Sequence, residues 1–150
     1  MPYEVTITAR YPRDADAVFS EACWFDELAE AMRGIARYDG LPDGEAREGE
    51  TYVVDVTLFG ILKNPGHVMH VERLDRSARV LQSREHNASV TRWDHTLSVQ
   101  PEGEGCLWTD RIIIDADRMA WGTARFAAFV YSRRHKSRRA VSITRSIRWL

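Results

Sequence analysis

The sequence predicts an α+β protein: a curved antiparallel sheet of about seven strands wrapped around a long C-terminal helix, with two short helices after the first strand. Three observations lead there. Tyr3 to Ala9 alternates apolar and polar residues, the period of a strand with one buried face. From Thr51 to Asp115 the chain repeats strand, turn, strand. From about Arg118 onward it holds no proline, and Phe126, Phe129, Val130, Ala140, Val141, Thr144 and Ile147 recur at three- and four-residue steps.

Each element follows from local chemistry. Pro12-Arg13-Asp14 ends the first strand, and Asp14 is placed to cap a helix beginning at Ala15, with Asp16 near its positive end. Trp24, Phe25, Leu28, Ala31 and Met32 have helical spacing up to Gly34, which suits a left-handed stop. Ile35 to Tyr38 is expected to form a short strand before the loop Asp39-Gly40-Leu41-Pro42-Asp43-Gly44. Acidic residues crowd that loop, and it lacks a lysine or a following helix, which excludes a phosphate cradle. Thr51 to Phe59 reads as a strand, Asn64-Pro65-Gly66 as its turn, and His67 to Leu74 and Arg79 to His86 as the next hairpin. Val90 to Val99 and Cys106 to Asp115 form the last predicted pair, joined through Pro101-Glu102-Gly103-Glu104-Gly105.

With 150 residues, 44% hydrophobic and 29% charged, the chain has the proportions of one folded domain, residues 1–150, and excludes disordered and collagen-like classes. No apolar run approaches the roughly 20 residues of a membrane span, and the start lacks a signal-like pattern, so the expected location is cytoplasmic without integral membrane association. Cys23 and Cys106 have no Cys-x-x-Cys spacing and read as small buried hydrophobes. Nine of the 21 Lys+Arg and none of the 22 Asp+Glu lie in residues 118–150. Without interleaved aromatics or a recognition motif, this basic cluster is read as a solvated helix face rather than a nucleic-acid surface. The sequence is silent on oligomeric state, and a homodimer is compatible with it.

The order of elements, with Pro12-Arg13-Asp14-Ala15-Asp16-Ala17-Val18-Phe19 and the hairpin Trp93-Asp94-His95-Thr96-Leu97 through Cys106-Leu107-Trp108-Thr109-Asp110-Arg111-Ile112, resembles the SRPBCC or START-like helix-grip superfamily over nearly the whole chain. That superfamily includes START lipid-transfer domains, birch-pollen-type allergens and polyketide cyclase/dehydrase-like proteins. In one bacterial ligand-binding branch the hairpin looks like Trp-x-His-x-His-x-Phe followed by Thr-x-x-x-Asp-x-Val-x-Tyr. Here Trp93, His95 and Asp110 are kept, whereas Leu97, Cys106 and Ile114 depart from it. Arg134-His135 in the last helix echoes the same branch.

A bent sheet closing on one helix leaves a cavity, which is where a site is expected. Tyr52, Val54, Val56 and Leu58 alternate on one face, and Trp93, Leu97, Trp108, Phe126, Phe129 and Val130 extend the apolar wall. Ile61 and Leu62 are placed either to cap the mouth or to anchor packing. His95 and Asp110 are the candidate chemistry. A bulge at the Gly103/Gly105 turn sets them opposite each other, whereas without it His95 faces Arg111; the apolar run Ile112-Ile113-Ile114 leaves the register open. His67 and His70 point to opposite faces, and a His67–His86 pair across the hairpin lacks a third inward ligand, so no metal site is expected. No cofactor is expected. The reading is a binder of a small apolar or aromatic molecule (lipid, quinone or polyketide-like). The resemblance also allows an enzyme of cyclase, dehydratase or aromatase type using His95 and Asp110, and the basic helix allows a partner-binding module.

Overall fold

The computed structural model describes residues 2–150. β1 (Tyr3–Tyr11) leads into α1 (Ala15–Ala22) and α2 (Phe25–Ala31), followed by β2 (Ala36–Asp39), β3 (Thr51–Leu58) and β4 (Leu62–Asp75). Then come β5 (Val80–His86), β6 (Arg92–Glu102), β7 (Gly105–Asp115), α3 (Ala120–Ser137) and β8 (Ser142–Trp149). The eight strands form one antiparallel sheet in the order β2-β3-β4-β5-β6-β7-β1-β8. As expected, the Asp14 carboxylate accepts from the Ala17 amide at 3.0 Å to cap α1. Among the described residues, no helix is long and apolar enough to cross a membrane.

Two expectations are corrected. The terminal helix stops at Ser137, and the residues expected to continue it form β8, which pairs with β1 from Arg10↔Ser142 to Tyr3↔Trp149. Val141, Ile143, Thr144 and Ile147 are β-branched and favour a strand, and Arg139 turns the chain at a φ of 62° without the glycine that normally marks a helix end. The sheet therefore has eight strands rather than about seven. The Asn64-Pro65-Gly66 segment is not the β3–β4 turn either. That turn is Phe59-Gly60-Ile61, between the paired Leu58 and Leu62. Asn64 pairs with Val56 and His67 with Val54, so Asp55 lies opposite Pro65-Gly66 in a bulge. Gly66 adopts a φ of 66° and donates its amide to Asp55 at 2.9 Å. A bulge accommodates a proline that lacks a ladder donor.

α3 does not lie centrally. Its small residues Ala124, Ala127 and Ala128 settle on Val5, Ile7, Ile112 and Ile114 of β1 and β7. On its other flank, Val130 and Phe126 meet Met32 and Ile35 from α2 and the turn after it. α1 closes one end, where Val18 and Phe19 pack with Trp108, Leu97 and Val99. The sheet under β1 and β7 is thus covered directly, and the part built from β3 to β6 is left standing away from the helix.

Candidate functional site

The uncovered part encloses a cavity of about 630 Å³. Tyr52, Val56 and Leu58 line it from β3, Met69 and Val71 from β4, Leu81 from β5, and Trp93 and Leu97 from β6. Phe126, Val130 and Tyr131 face them from α3, Phe25 and Leu28 from α2, and Met32 from the end of α2. Phe59, Leu62 and Met119 are exposed at the mouth, with Phe59 edge-on to Phe126 at 6.1 Å between ring centres. Cys23 also borders the cavity. Burial pushes its thiol up to about 11, which keeps it protonated and unreactive at neutral pH.

Of the residues singled out in the sequence, Tyr52, Val56, Trp93, Leu97, Phe126, Val130 and His95 border the cavity. Four others lie elsewhere, among them Asp110, which is fully buried behind His95. Val54 is buried without lining the cavity, Trp108 is fully buried in the packed end with α1, and Phe129 is 44% exposed on the outer side of α3. Leu62 reaches the mouth, whereas the adjacent Ile61 points to solvent.

The β6–β7 register places His95 opposite Ile112 and Asp110 opposite Leu97, which neither sequence alternative anticipated. The turn is a two-residue one, with Glu102 paired to Gly105 and Gly103 at a φ of 59°. Gly105 admits no side chain, because a Cβ there would lie 2.2 Å from the Tyr11 carbonyl oxygen. In this register His95 and Asp110 are diagonal neighbours on the inner face, close enough for long side chains to meet. His95 Nε2 donates to Asp110 Oδ1 at 2.7 Å.

Asp110 is completely buried and shared. Its Oδ2 accepts from His135 Nε2 at 3.0 Å, and the Tyr11 hydroxyl donates to His135 Nδ1 at 2.6 Å. On the cavity side, the Tyr131 hydroxyl lies 3.4 Å from His95 Nδ1. The tautomers assigned by this network are the same for both histidines: Nε2–H toward the carboxylate and Nδ1 toward a tyrosine. Burial by itself would raise the Asp110 pKa, but hydrogen bonds from His135 and His95 outweigh it and hold the carboxyl far below its ordinary range. Burial raises the Tyr131 hydroxyl well above its ordinary value and Tyr11 to about 12, so both remain donors.

Beside this network, Arg134 borders the cavity and pairs with Glu27 at 2.5 Å. Its guanidinium and that of Arg138 each lie 4.9 Å from the Trp108 ring centre. Burial penalises the Glu27 carboxylate, yet Arg134 and Arg138 prevail and lower its pKa.

Sequence reasoning missed Tyr11 and Tyr131 and named His135 only through the resemblance, without a role; their contacts span 25 to 124 positions along the chain. It also misjudged His67. That ring faces Glu85 rather than His86, donating Nε2–H to Glu85 Oε2 at 2.8 Å, and both residues border the cavity. The alternation Leu81, Ser83, Glu85 along β5 was the available signal, since it puts polar groups on an otherwise apolar face. Among the described residues, no group of three or more His, Cys, Asp or Glu is gathered to hold a metal ion.

A bent antiparallel sheet gripping one helix beside an apolar cavity defines the helix-grip class, and the chain has this fold. No family model matches the chain, and no curated protein does. Solved structures do. CV1439 from Chromobacterium violaceum superposes with a TM-score of 0.71 at 12% identity, covering 89% of this chain and 92% of that one. Truncated norcoclaurine synthase from Thalictrum flavum gives 0.69 at 13% identity, covering 91% of each chain. Ara h 8.0201 gives 0.64 at 7% identity, covering 91% of this chain and 97% of that one. At such identities the likeness is one of fold.

Proposed function

We propose that this protein binds a small apolar or aromatic molecule, of lipid, quinone or polyketide-like character, between α3 and the β3–β6 part of the sheet. The observation that carries this reading is the cavity of about 630 Å³, within the roughly 300–1,000 Å³ of small-molecule sites. Its wall is mostly aliphatic and aromatic, so affinity comes from apolar area removed from water, about 25 cal/mol per Å² before ordering costs. The few polar groups orient the guest. Native mass spectrometry of gently purified protein tests this by looking for a co-purified small molecule. A bound species of a few hundred daltons, with a thermal upshift on adding it back, is the expected result. Failure to retain any apolar compound, together with a melting temperature indifferent to all of them, would overturn the reading.

A second reading is favoured by one specific observation: His95 borders the cavity and is backed by the fully buried Asp110 carboxylate. It is an enzyme of cyclase, dehydratase or aromatase type. With Nε2 committed to Asp110, His95 Nδ1 is the atom that would take a proton from a carbon next to a carbonyl. Asp110, held ionised, stabilises the resulting imidazolium, and the Tyr131 hydroxyl donates to the oxygen on which charge develops. The discriminating variant is His95→Ala. Turnover reduced by about 10²–10⁴ with binding retained supports catalysis, whereas unchanged turnover removes it.

A further inference from the structure

The cavity has a second polar station, on β4 and β5, which begins one strand away from His95, where Ser83 pairs with His95. His67 and Glu85 border it with side chains only 13% and 11% exposed, joined at 2.8 Å. Ser83 Oγ donates to Glu85 Oε1 at 2.6 Å, and Asn87 Nδ2 donates to His67 Nδ1 at 3.1 Å. All four residues line the same cavity. The β4–β5 ladder does not need them, since its backbone pairing runs from Val68↔His86 to Asp75↔Val80 regardless of side chain. Placing such groups on an apolar wall costs desolvation that leucines would avoid. The cost is explained when the groups meet a polar atom of a guest.

Location defines that guest. His67 stands on β4 and His95 on β6, so the two imidazoles are about 10 Å apart across the sheet by strand spacing, with Ser83 and Glu85 on β5 between them. Trp93, Leu97, Met69 and Leu81 supply apolar wall around and between them. We propose that His67–Glu85 is a ligand-orienting site, and that the guest is a flat or elongated apolar molecule with an oxygen function at each end. One end meets Tyr131 and His95, and the other meets Glu85 and Asn87. A phenolic or enolic hydroxyl is the matching group at the second station, because it donates to the Glu85 carboxylate and accepts from the Asn87 amide. This inference rests on the cavity being a ligand site and adds the chemical class.

Isothermal titration calorimetry with biphenyl, 4-phenylphenol and 4,4′-dihydroxybiphenyl separates the two claims. Wild type is expected to bind the diol about tenfold more tightly than the monophenol, the effect of one hydrogen bond to a charged acceptor. In Glu85→Gln this preference falls to within about twofold, the statistical advantage of two equivalent ends. The double variant His67→Phe/Glu85→Leu removes both partners together, loses the preference in the same way, and keeps biphenyl affinity, which shows that its cavity is intact. Equal binding of diol and monophenol by wild type would overturn the second station while leaving the cavity reading in place. An unchanged preference in both variants would do the same. Binding of none of the three probes would overturn the cavity reading and this inference with it.

Discussion

The two sides of the sheet solve the same problem in opposite ways. Over β1 and β7, α3 presents Ala124, Ala127 and Ala128 and sits directly on Val5, Ile7, Ile112 and Ile114. Over β3 to β6 it presents Phe126, Val130 and Tyr131, and these border empty space. Small residues let a helix approach a sheet, and larger ones on the adjoining face prop it away. One helix therefore packs a core with one face and roofs a cavity with another. The buried polar groups divide accordingly: Asp110, His135 and Tyr11 are enclosed by protein, whereas His95 and Tyr131 connect them to the cavity. Packing made complete on one side provides the rigid support that an unfilled side needs.

The largest predicted effect comes from breaking the enclosed side. Asp110→Ala leaves two buried imidazole N–H groups without their acceptor, and a loss of about 3–5 kcal/mol is expected in chemical denaturation. Adding bulk sharpens the contrast. Ala127→Leu overfills the face on β1 and β7 and should cost about 1–3 kcal/mol. Val56→Phe has cavity to expand into, so its stability should stay within about 1 kcal/mol of wild type while apolar-ligand retention is lost. Equal destabilisation by both would mean that no such division exists.

Acid provides a milder test at the boundary between the two sides. The pKa of Glu27 is lowered in the folded state, so its contribution is present above the unfolded value of about 4.3 and is lost as pH falls through the lower folded value. The wild-type melting temperature should therefore drop between about pH 5 and pH 3, and Glu27→Gln, less stable at neutral pH, should drop less over that range. The smallest effect is expected at Phe129, exposed on the outer side of α3. Phe129→Ser should leave ligand retention unchanged, whereas Phe126→Ser, at the mouth, should weaken it.

Much of this architecture was legible in the sequence, and the gaps have physical causes. Alternation revealed β1 and the later hairpins, and the Asp14 cap revealed α1, because both signals are local. β8 was hidden because Ala140, Val141, Thr144 and Ile147 also fit a helical step; only their β-branching argued otherwise. Pro65-Gly66 has turn composition, yet a bulge needs the same residues. At the site, residue choice exposed His95 and Asp110 but not their geometry, since the apolar run Ile112-Ile113-Ile114 offers no polar face to fix a register. The roles of His135 and Tyr11 depend on tertiary proximity, which no spacing along the chain encodes, whereas Glu85 was marked by its alternation with Leu81 and Ser83 although its pairing with His67 was not.

The division into a filled and a hollow side is tested most directly by amide chemical-shift mapping during a titration with biphenyl. Perturbations are predicted along β3 to β6, in α2 and on the Phe126–Val130 face of α3, with β1, β7 and β8 undisturbed. Shifts centred on β1 and β7, or none at saturating probe, would contradict it.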